Sequence, residues 1–580
     1  SGTPLNEDVG TISIKVTATD GSGEPISDTF DLAVGNTNDA PTVANLIPNQ
    51  PATEDAAFSF QFAADTFADV DVGDTLTYAA TLADGSALPS WLSFDPSTRT
   101  FSGTPLNEDV GTISIKVTAT DGSGEPISDT FDLAVGNTND APTEITLIGA
   151  SVAEFAARGT TVGSLSTSDQ DDTSGFTYAL VDDAGGRFSV DGALLLVANG
   201  VALDFEQTAS HTVTVRSSDA GGLHVDRSFT ITVNDVNPEF VVGTAVGETI
   251  VGGALSDRLF GGGGNDTLDG GAGNDILNGG DGRDVLIGGS GSDRYFTDGG
   301  DKIVEAVNSG LDTVVSTASH TLAANVENLV LSGAAKISGT GNALANRIDG
   351  STNSAANMLA GRGGNDVYVV GAGDRITEAA NGGTDTVLSS QVSLNLGVFA
   401  NVENARLLGN AALNVAGNAL NNVIFGNDAK NTISGGAGND FINGGLGNDI
   451  LVGGAGNDFI NGGLGNDILV GGAGNDAFVF NTTLSAATNV DTIFMYNTFQ
   501  DNIRLDNAVF TALGGTGVLS GSNFWSAANG LAHDADDRII YNTSTGVLSY
   551  DADGNGKAAA VAFAVIGNKP WLTASEFFVI

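Results

Sequence analysis

Aspartate returns at every ninth residue in two stretches of this chain. The first run carries Asp257, Asp266, Asp275, Asp284 and Asp293, and the second Asp440, Asp449, Asp458, Asp467 and Asp476. Each closes a GGxGND-like loop, with an apolar residue two places on: Leu259, Leu268, Leu277, Leu286 and Tyr295, then Ile442, Leu451, Ile460, Leu469 and Phe478. Carboxylates spaced evenly among glycines suit a hard cation. Calcium takes about six to eight oxygens at about 2.3–2.6 Å, readily from carboxylates and backbone carbonyls. A loop that turns several carbonyls towards one point needs positive φ and no obstructing Cβ, which calls for glycine at its first, second and fourth positions. One GGxGND alone reads as an Asx-type turn. Ten in phase, each with its apolar partner, read as a repeated calcium loop. The expected ligands are Asp266, Asp275, Asp284, Asp293, Asp440, Asp449, Asp458, Asp467 and Asp476, with Asp366 from the isolated loop "GRGGNDVYVV". Leu255 stands where the first unit should have glycine, which weakens the case for a site between Asp257 and Asp275.

A period of nine residues predicts a solenoid in which each apolar partner points inward from a three-residue strand. Residues 441–458 recur without change as 459–476. The exact copy is two nonapeptides long, as expected if consecutive nonapeptides lie in opposite sheets and residues eighteen apart stack. Two weaker units, "GNALNNVIF" and "GNDAKNTIS", precede the second run in phase. Between the runs a longer unit occurs twice, as "DKIVEAVNSGLDTVVSTASHTL…NVENLVLSG" and "DRITEAANGGTDTVLSSQVSLNL…NVENARLLG". Its β-branched strands predict stacked coils without the full metal loop. After Asn481 the repeats stop, and a more aromatic segment is expected to cap the last coil. There "DADGNG" matches the start of an EF-hand loop, but Ala562 stands where the bidentate Glu belongs, so a hairpin turn is expected instead.

The amino-terminal part follows a different grammar. Residues 1–42 recur identically as 102–143, so the chain begins inside a repeat, as expected of the carboxy-terminal piece of a longer array. "TISIKVTATDG" and "DTFDLAVGN" alternate apolar and polar residues and end in turn residues, the pattern of antiparallel strands with one buried face. Short strands at regular spacing predict β-sandwiches. "HTVTVRSSDAGG" and "RSFTITVNDVNP" repeat that grammar in residues 144–238.

Composition narrows the function. Seventy acids against 21 bases give a formal charge of -49, which repels nucleic acid and anionic membranes and favours cations. No cysteine is present, which removes disulfides and thiolate metal sites. The longest apolar run, "AAAVAFAVIG", is half of the ~20 residues a membrane helix needs, so no transmembrane segment is expected. The four histidines are scattered and no GxSxG, HExxH or P-loop occurs, so no enzyme is expected.

The nonapeptides resemble the GGxGxDxUx repeats of the RTX (hemolysin-type calcium-binding) family. That resemblance implies a parallel β-roll in which each ion lies between loops one full turn apart, pairing Asp266 with Asp284, Asp275 with Asp293, Asp440 with Asp458, Asp449 with Asp467, and Asp458 with Asp476. Residues 144–238 resemble a cadherin repeat through "VAEF", "SDQDD", "LDFE", "SSDAGG" and "DVNP". Calcium at the joint would then fall to Asn137, Asn139 and Asp140 of "NTNDAP" with Asp169, Asp171 and Asp219. Glu154 and Glu206 would point to a lower joint at Asp235 and Asn237, where "DVNPEF" lacks the family's next Asp. Residues 43–143 look like a dystroglycan-type cadherin-like module, with Glu54, Asp69, Asp71 and Asp121 at its acidic positions; Trp91 and Phe94 are expected in its core. The ending "LTASEFFVI" resembles an uncleaved type I secretion signal, and a buried final strand is equally expected of it.

The expectation is an all-β chain: tandem cadherin-like sandwiches, a parallel β-roll and a β-rich cap. Its segments are a partial repeat at 1–42, sandwiches at 43–143 and 144–238, a first β-roll block at 239–299, degenerate coils at 300–425, a second block at 426–480 and the cap at 481–580. The expected function is a secreted bacterial calcium-binding surface protein, an adhesin, whose partners are calcium, a receptor the sequence does not name and the type I secretion machinery. The alternatives are a secretion and folding tail for an enzyme or toxin lying upstream, and a surface-layer subunit.

Overall fold

A computed structural model describes all 580 residues and contains no α-helix. Two compact units are present: residues 1–151, 159–198 and 212–231 form one, and residues 152–158, 199–211 and 232–580 the other.

In the first unit, alternating strands Gly10–Thr19 and Pro25–Val34 pair as a regular antiparallel hairpin, and the identical sequence pairs the same way as Gly111–Thr120 with Pro126–Gly136. The second copy is completed into a sandwich. Thr77–Leu82 and Gln50–Thr53 flank its hairpin, and Phe58–Gln61, Thr100–Gly103 and Leu92–Asp95 form the facing sheet. Phe101, Ile115, Val117 and Leu133 are fully buried between the sheets, with Trp91 and Phe94 packed against them. The next sandwich pairs Glu144–Ile148, Thr161–Ser168, Leu194–Val197 and Phe188–Asp191 in one sheet.

The second unit is a parallel solenoid. One of its sheets runs through 17 strands without interruption, from Phe240–Val242 to the terminal strand Phe577–Val579. The opposite face is divided into sheets of four, four and ten strands. Its two breaks follow Lys302–Val304 and Arg375–Ile376, within the two copies of the long unit. Strands eighteen residues apart stack in register: Leu259 faces Leu277, and Ile442 faces Ile460. All ten apolar partners of the Asp residues are completely buried. Positive φ occurs at the second and fourth glycines of a loop, as at Gly454 and Gly456. The first glycine meets a different demand, that of space. A Cβ on Gly453 would lie against Asp458 Oδ2 and 2.6 Å from the Gly471 carbonyl oxygen.

The cap continues the solenoid before closing it. Asp491–Phe494 and Asn502–Leu505 add one strand to each sheet. The final strand Phe577–Val579 lies parallel to Asn502–Leu505, with Phe577 fully buried. Asp551 and Asp553 sit in the turn joining the antiparallel strands Val547–Tyr550 and Val561–Ile566.

Candidate metal centre

The Asp side chains are buried at the loop corners, and their two oxygens differ. Oδ1 accepts the backbone N–H of the Asp one turn earlier: Asp266 N–H donates to Asp284 at 2.8 Å, Asp275 to Asp293 at 2.8 Å, Asp440 to Asp458 at 2.9 Å, Asp449 to Asp467 at 2.7 Å and Asp458 to Asp476 at 3.0 Å. The second oxygen has no such use. Oδ2 of Asp266, Asp275, Asp284, Asp293, Asp366, Asp440, Asp449, Asp458, Asp467 and Asp476 is buried without a hydrogen-bond partner.

An unsatisfied buried acceptor costs about 1–3 kcal/mol, and more when ionised. Burial accordingly pushes Asp266, Asp275, Asp293, Asp366, Asp440, Asp449, Asp458, Asp467 and Asp476 upward. Asp275, Asp366 and Asp449 rise to about 7 and Asp458 to about 6, chiefly from desolvation, with neighbouring carboxylates adding to it. A row of orphaned carboxylate oxygens against glycine backbone, with a carbonyl oxygen of the next turn beside those of Asp266, Asp275, Asp440, Asp449 and Asp458, is an all-oxygen donor set that fits calcium.

Some turns carry asparagine in the same place, and their chemistry is closed. Asn346, Asn422 and Asn431 are buried, and their Nδ2 groups donate to the carbonyls of Val326 at 3.1 Å, Glu403 at 2.8 Å and Leu413 at 2.7 Å. Their Oδ1 atoms accept from their own loops, at Asn342, Asn418 and Asn427 N–H. The amide supplies the positive end that an Asp loop lacks.

The ladder is longer than the sequence pattern suggested. Asp257 shares the backbone link, its N–H donating to Asp275 at 2.8 Å, but its Oδ2 accepts from Gly253 N–H at 3.1 Å and so is not left without a partner. Upstream, Glu239 N–H donates to Asp257 and Glu248 N–H to Asp266. Both lie in the nine-residue phase of Asp257 and Asp266, which the sequence already contained; glutamate in place of aspartate hid it. Downstream, Asp301, Asp312, Asp385, Asp491 and Asp501 cap Asp284, Asp293, Asp366, Asp467 and Asp476. Loop length varies there, so no fixed spacing reveals them.

At the joint within the first unit, Asp140 and Asp171 come together with Glu54, which the linker motif does not contain. Asp140 N–H donates to Asp171, Thr138 N–H to Glu54, and Asn139 Nδ2 to Asp219 at 2.9 Å. Oδ2 of Asp169 and Oε2 of Glu54 are buried without partners, while Asn137 is exposed. The preceding joint repeats this: Asn38 Nδ2 donates to Asp121 and Asp39 N–H to Asp71.

In the second unit, Glu154 accepts from Val236 and Phe205 N–H and lies with Glu206 and Glu239. Asp235 is exposed, and Glu239 takes the third corner of that cluster instead. Asn237 lies beside it: a Cβ on Gly253 would stand 2.5 Å from Asn237 Nδ2 and 3.1 Å from Glu239 Oε1. Burial and the neighbouring carboxylates push Glu206 to about 7, and burial with Asp257 pushes Glu239 to about 8.

Residues 242–277, 273–301, 416–451 and 444–478 match the family model of the RTX calcium-binding nonapeptide repeat. The two glycine-rich blocks are RTX calcium-binding repeats. Residues 40–136 match the family model "Putative Ig domain". No curated protein matches the chain. Among solved structures it is similar to PcdhgB3 EC1-4, at 24% identity over 40% of this chain and 60% of that one, with a TM-score of 0.33. It is also similar to Drosophila N-cadherin EC1-4, at 17% identity over 39% of this chain and 57% of that one, TM-score 0.27. Mouse Protocadherin-24 EC1-3 matches at 17% identity over 40% of this chain and 82% of that one, TM-score 0.29. The chain thus spans less than two thirds of the first of these proteins. The RTX blocks bind calcium through multiple loops, and no helix in the chain is long and apolar enough to cross a membrane.

Proposed function

We propose that this RTX-repeat protein is a secreted adhesin of a bacterial surface, folded and stiffened by calcium taken up after export. The observation that carries the reading is the row of buried Asp Oδ2 atoms without partners, in nine of the ten nonapeptides. Asp266 with Asp284, Asp275 with Asp293, Asp440 with Asp458, Asp449 with Asp467, and Asp458 with Asp476 would hold the ions, assisted by glycine carbonyls. When bound, calcium supplies the positive charge that the carboxylates lack.

At low calcium the ionised ladder opposes folding, which keeps the solenoid open for transport by type I machinery acting on the carboxy-terminal end. At millimolar calcium, ions that bind only the folded form stabilise it by mass action. Asn139, Asp140, Asp169, Asp171 and Asp219, with Glu54, would hold calcium at the joint between the sandwiches of residues 43–143 and 144–238. Repetition of the 101-residue unit supports adhesion, because repeats extend reach without adding chemistry. The test is circular dichroism and calorimetric titration of the whole chain. The expected result is a gain of β signal and multi-site binding when calcium replaces chelator. A solenoid already fully folded in chelator, with no calcium uptake, overturns the reading.

A further inference from the structure

The long unit between the RTX blocks contains no GGxGND of its own, yet both copies end up facing a buried, unpartnered Asp. In the first copy the oxygens of Asp293, Glu305 and Asp312 lie within 4.8 Å of one another. Asp293 is 1% exposed, and its Oδ2 has no partner. Tyr295 donates to Glu305, and Ser309 Oγ reaches the other Glu305 oxygen at 2.7 Å. Asp312 Oδ1 accepts the Asp293 N–H at 2.8 Å.

The second copy places the same residue types 73 positions further on: Asp366, Tyr368, Glu378 and Asp385. Asp366 N–H donates to Asp385 Oδ1 at 2.8 Å, and Gly361 N–H to Glu378 Oε1 at 3.0 Å. A Cβ on Gly361 would run into both Asp366 Oδ2 and the Tyr368 hydroxyl. Here Asp366 Oδ2, Asp385 Oδ2 and the Tyr368 hydroxyl are all buried and unpartnered. Both sets obey one spacing, D-x-Y-x9-E-x6-D, which is absent from the nonapeptides.

The backbone explains why glutamate appears. Each Glu follows the last strand before a break in the second sheet, Lys302–Val304 in one copy and Arg375–Ile376 in the other. No next nonapeptide loop stacks in regular phase there, and the longer side chain brings a carboxylate to the preceding Asp. By contrast, the Asn346, Asn422 and Asn431 turns close their corners with an amide and leave no orphan.

We propose that Asp293, Glu305 and Asp312, and again Asp366, Glu378 and Asp385, each hold one calcium ion at the two interruptions of the second sheet. This extends the calcium reading of the RTX blocks to a motif outside them and rests on that reading. Tyr295 and Tyr368 lie beside the proposed ions, two residues after the Asp, as reporters rather than ligands.

The test measures calcium bound by the 580-residue chain in equilibrium dialysis, and tyrosine-sensitised terbium emission from the same chain. Glu305→Gln with Glu378→Gln is expected to lower calcium stoichiometry by two. Tyr295→Phe with Tyr368→Phe leaves stoichiometry unchanged and removes most of the sensitised emission, a readout that survives if the glutamine variant fails to fold. Asp458→Asn serves as the control: it lowers stoichiometry in the second RTX block and leaves the sensitised emission in place. Unchanged stoichiometry in the glutamine variant together with unchanged emission in the phenylalanine variant overturns the two sites while leaving the nonapeptide sites standing. Absence of calcium uptake by the unaltered chain overturns the parent reading.

Discussion

Asp458→Asn should move stability in opposite directions with and without calcium. Asp458 is 2% exposed; its Oδ1 accepts the Asp440 N–H at 2.9 Å, and its Oδ2 has no partner. Asparagine replaces the orphan acceptor with an amide, and at Asn422 and Asn431 such an amide is fully used, Oδ1 accepting from its own loop's N–H and Nδ2 donating to the preceding turn. Relieving one buried unsatisfied acceptor is worth about 1–3 kcal/mol. In chelator at pH 8, the variant should therefore be more stable by about that amount. In calcium it forfeits a carboxylate that two proposed ion pairs share, and a site held at a hundredfold excess over its Kd contributes about 2.7 kcal/mol. The pH dependence supplies a second check. The folded Asp458 is raised to about 6, so its penalty is complete above that pH and absent below the ordinary carboxylate range near 4. The chelator advantage of Asn should accordingly vanish on acidification. Urea unfolding followed by circular dichroism, at pH 8 and pH 4 with chelator or millimolar calcium, measures all four values. The same sign in calcium and chelator at pH 8 would refute the reasoning.

Acid should partly replace calcium. Folded Asp275, Asp366 and Asp449 stand at about 7, above their unfolded values, so the calcium-free chain binds extra protons on folding and loses stability as pH rises from about 4 through 7; melting in chelator at pH 5 and pH 8 should show the higher midpoint at pH 5. Gly454→Ala forces a Cβ onto the Gly436 carbonyl at φ 122°, and strain of about 1–3 kcal/mol from the backbone alone should appear as a lowered urea midpoint, even in calcium. Phe131→Ala should cost about 3–5 kcal/mol, whereas Phe30→Ala, in the identical 42-residue sequence, should stay within about 0.5 kcal/mol. Paired denaturation curves of the two variants check that difference.

The candidate site was largely legible because its period is local. Asp at the sixth position and an apolar residue at the eighth imply both the corner and the inward strand, and Leu268 and Ile460 are buried as that pattern requires. Glu239 and Glu248 keep the nine-residue phase and were hidden by residue type alone. Glu305 and Glu378 escaped the reading because each follows the strand before a break in the second sheet, a place set by coil stacking rather than by spacing along the chain. The same holds for Asp491 and Asp501, which reach back 24 and 25 residues to Asp467 and Asp476. Leu255 marks a real departure from the regular loop. Neither Gly253 nor Leu255 has positive φ, and Asp257 Oδ2 accepts from Gly253 N–H, while the strands on either side stay stacked in register.

By itself the sequence determined strand, turn and period, since these follow from side-chain alternation and from where glycine permits positive φ. Residues 1–42 and 102–143 show the limit of that determination: both form the same hairpin from the same letters. Phe131 and Leu133 are buried in one, while Phe30 and Leu32 are 52% and 45% exposed in the other. Burial is a property of what covers a face, and only the tertiary structure supplies the facing sheet. The metal corners divide in the same way. Local glycines make each cradle, but stacking one turn upon another leaves a carboxylate oxygen enclosed and alone, and that enclosure is what calls for a cation.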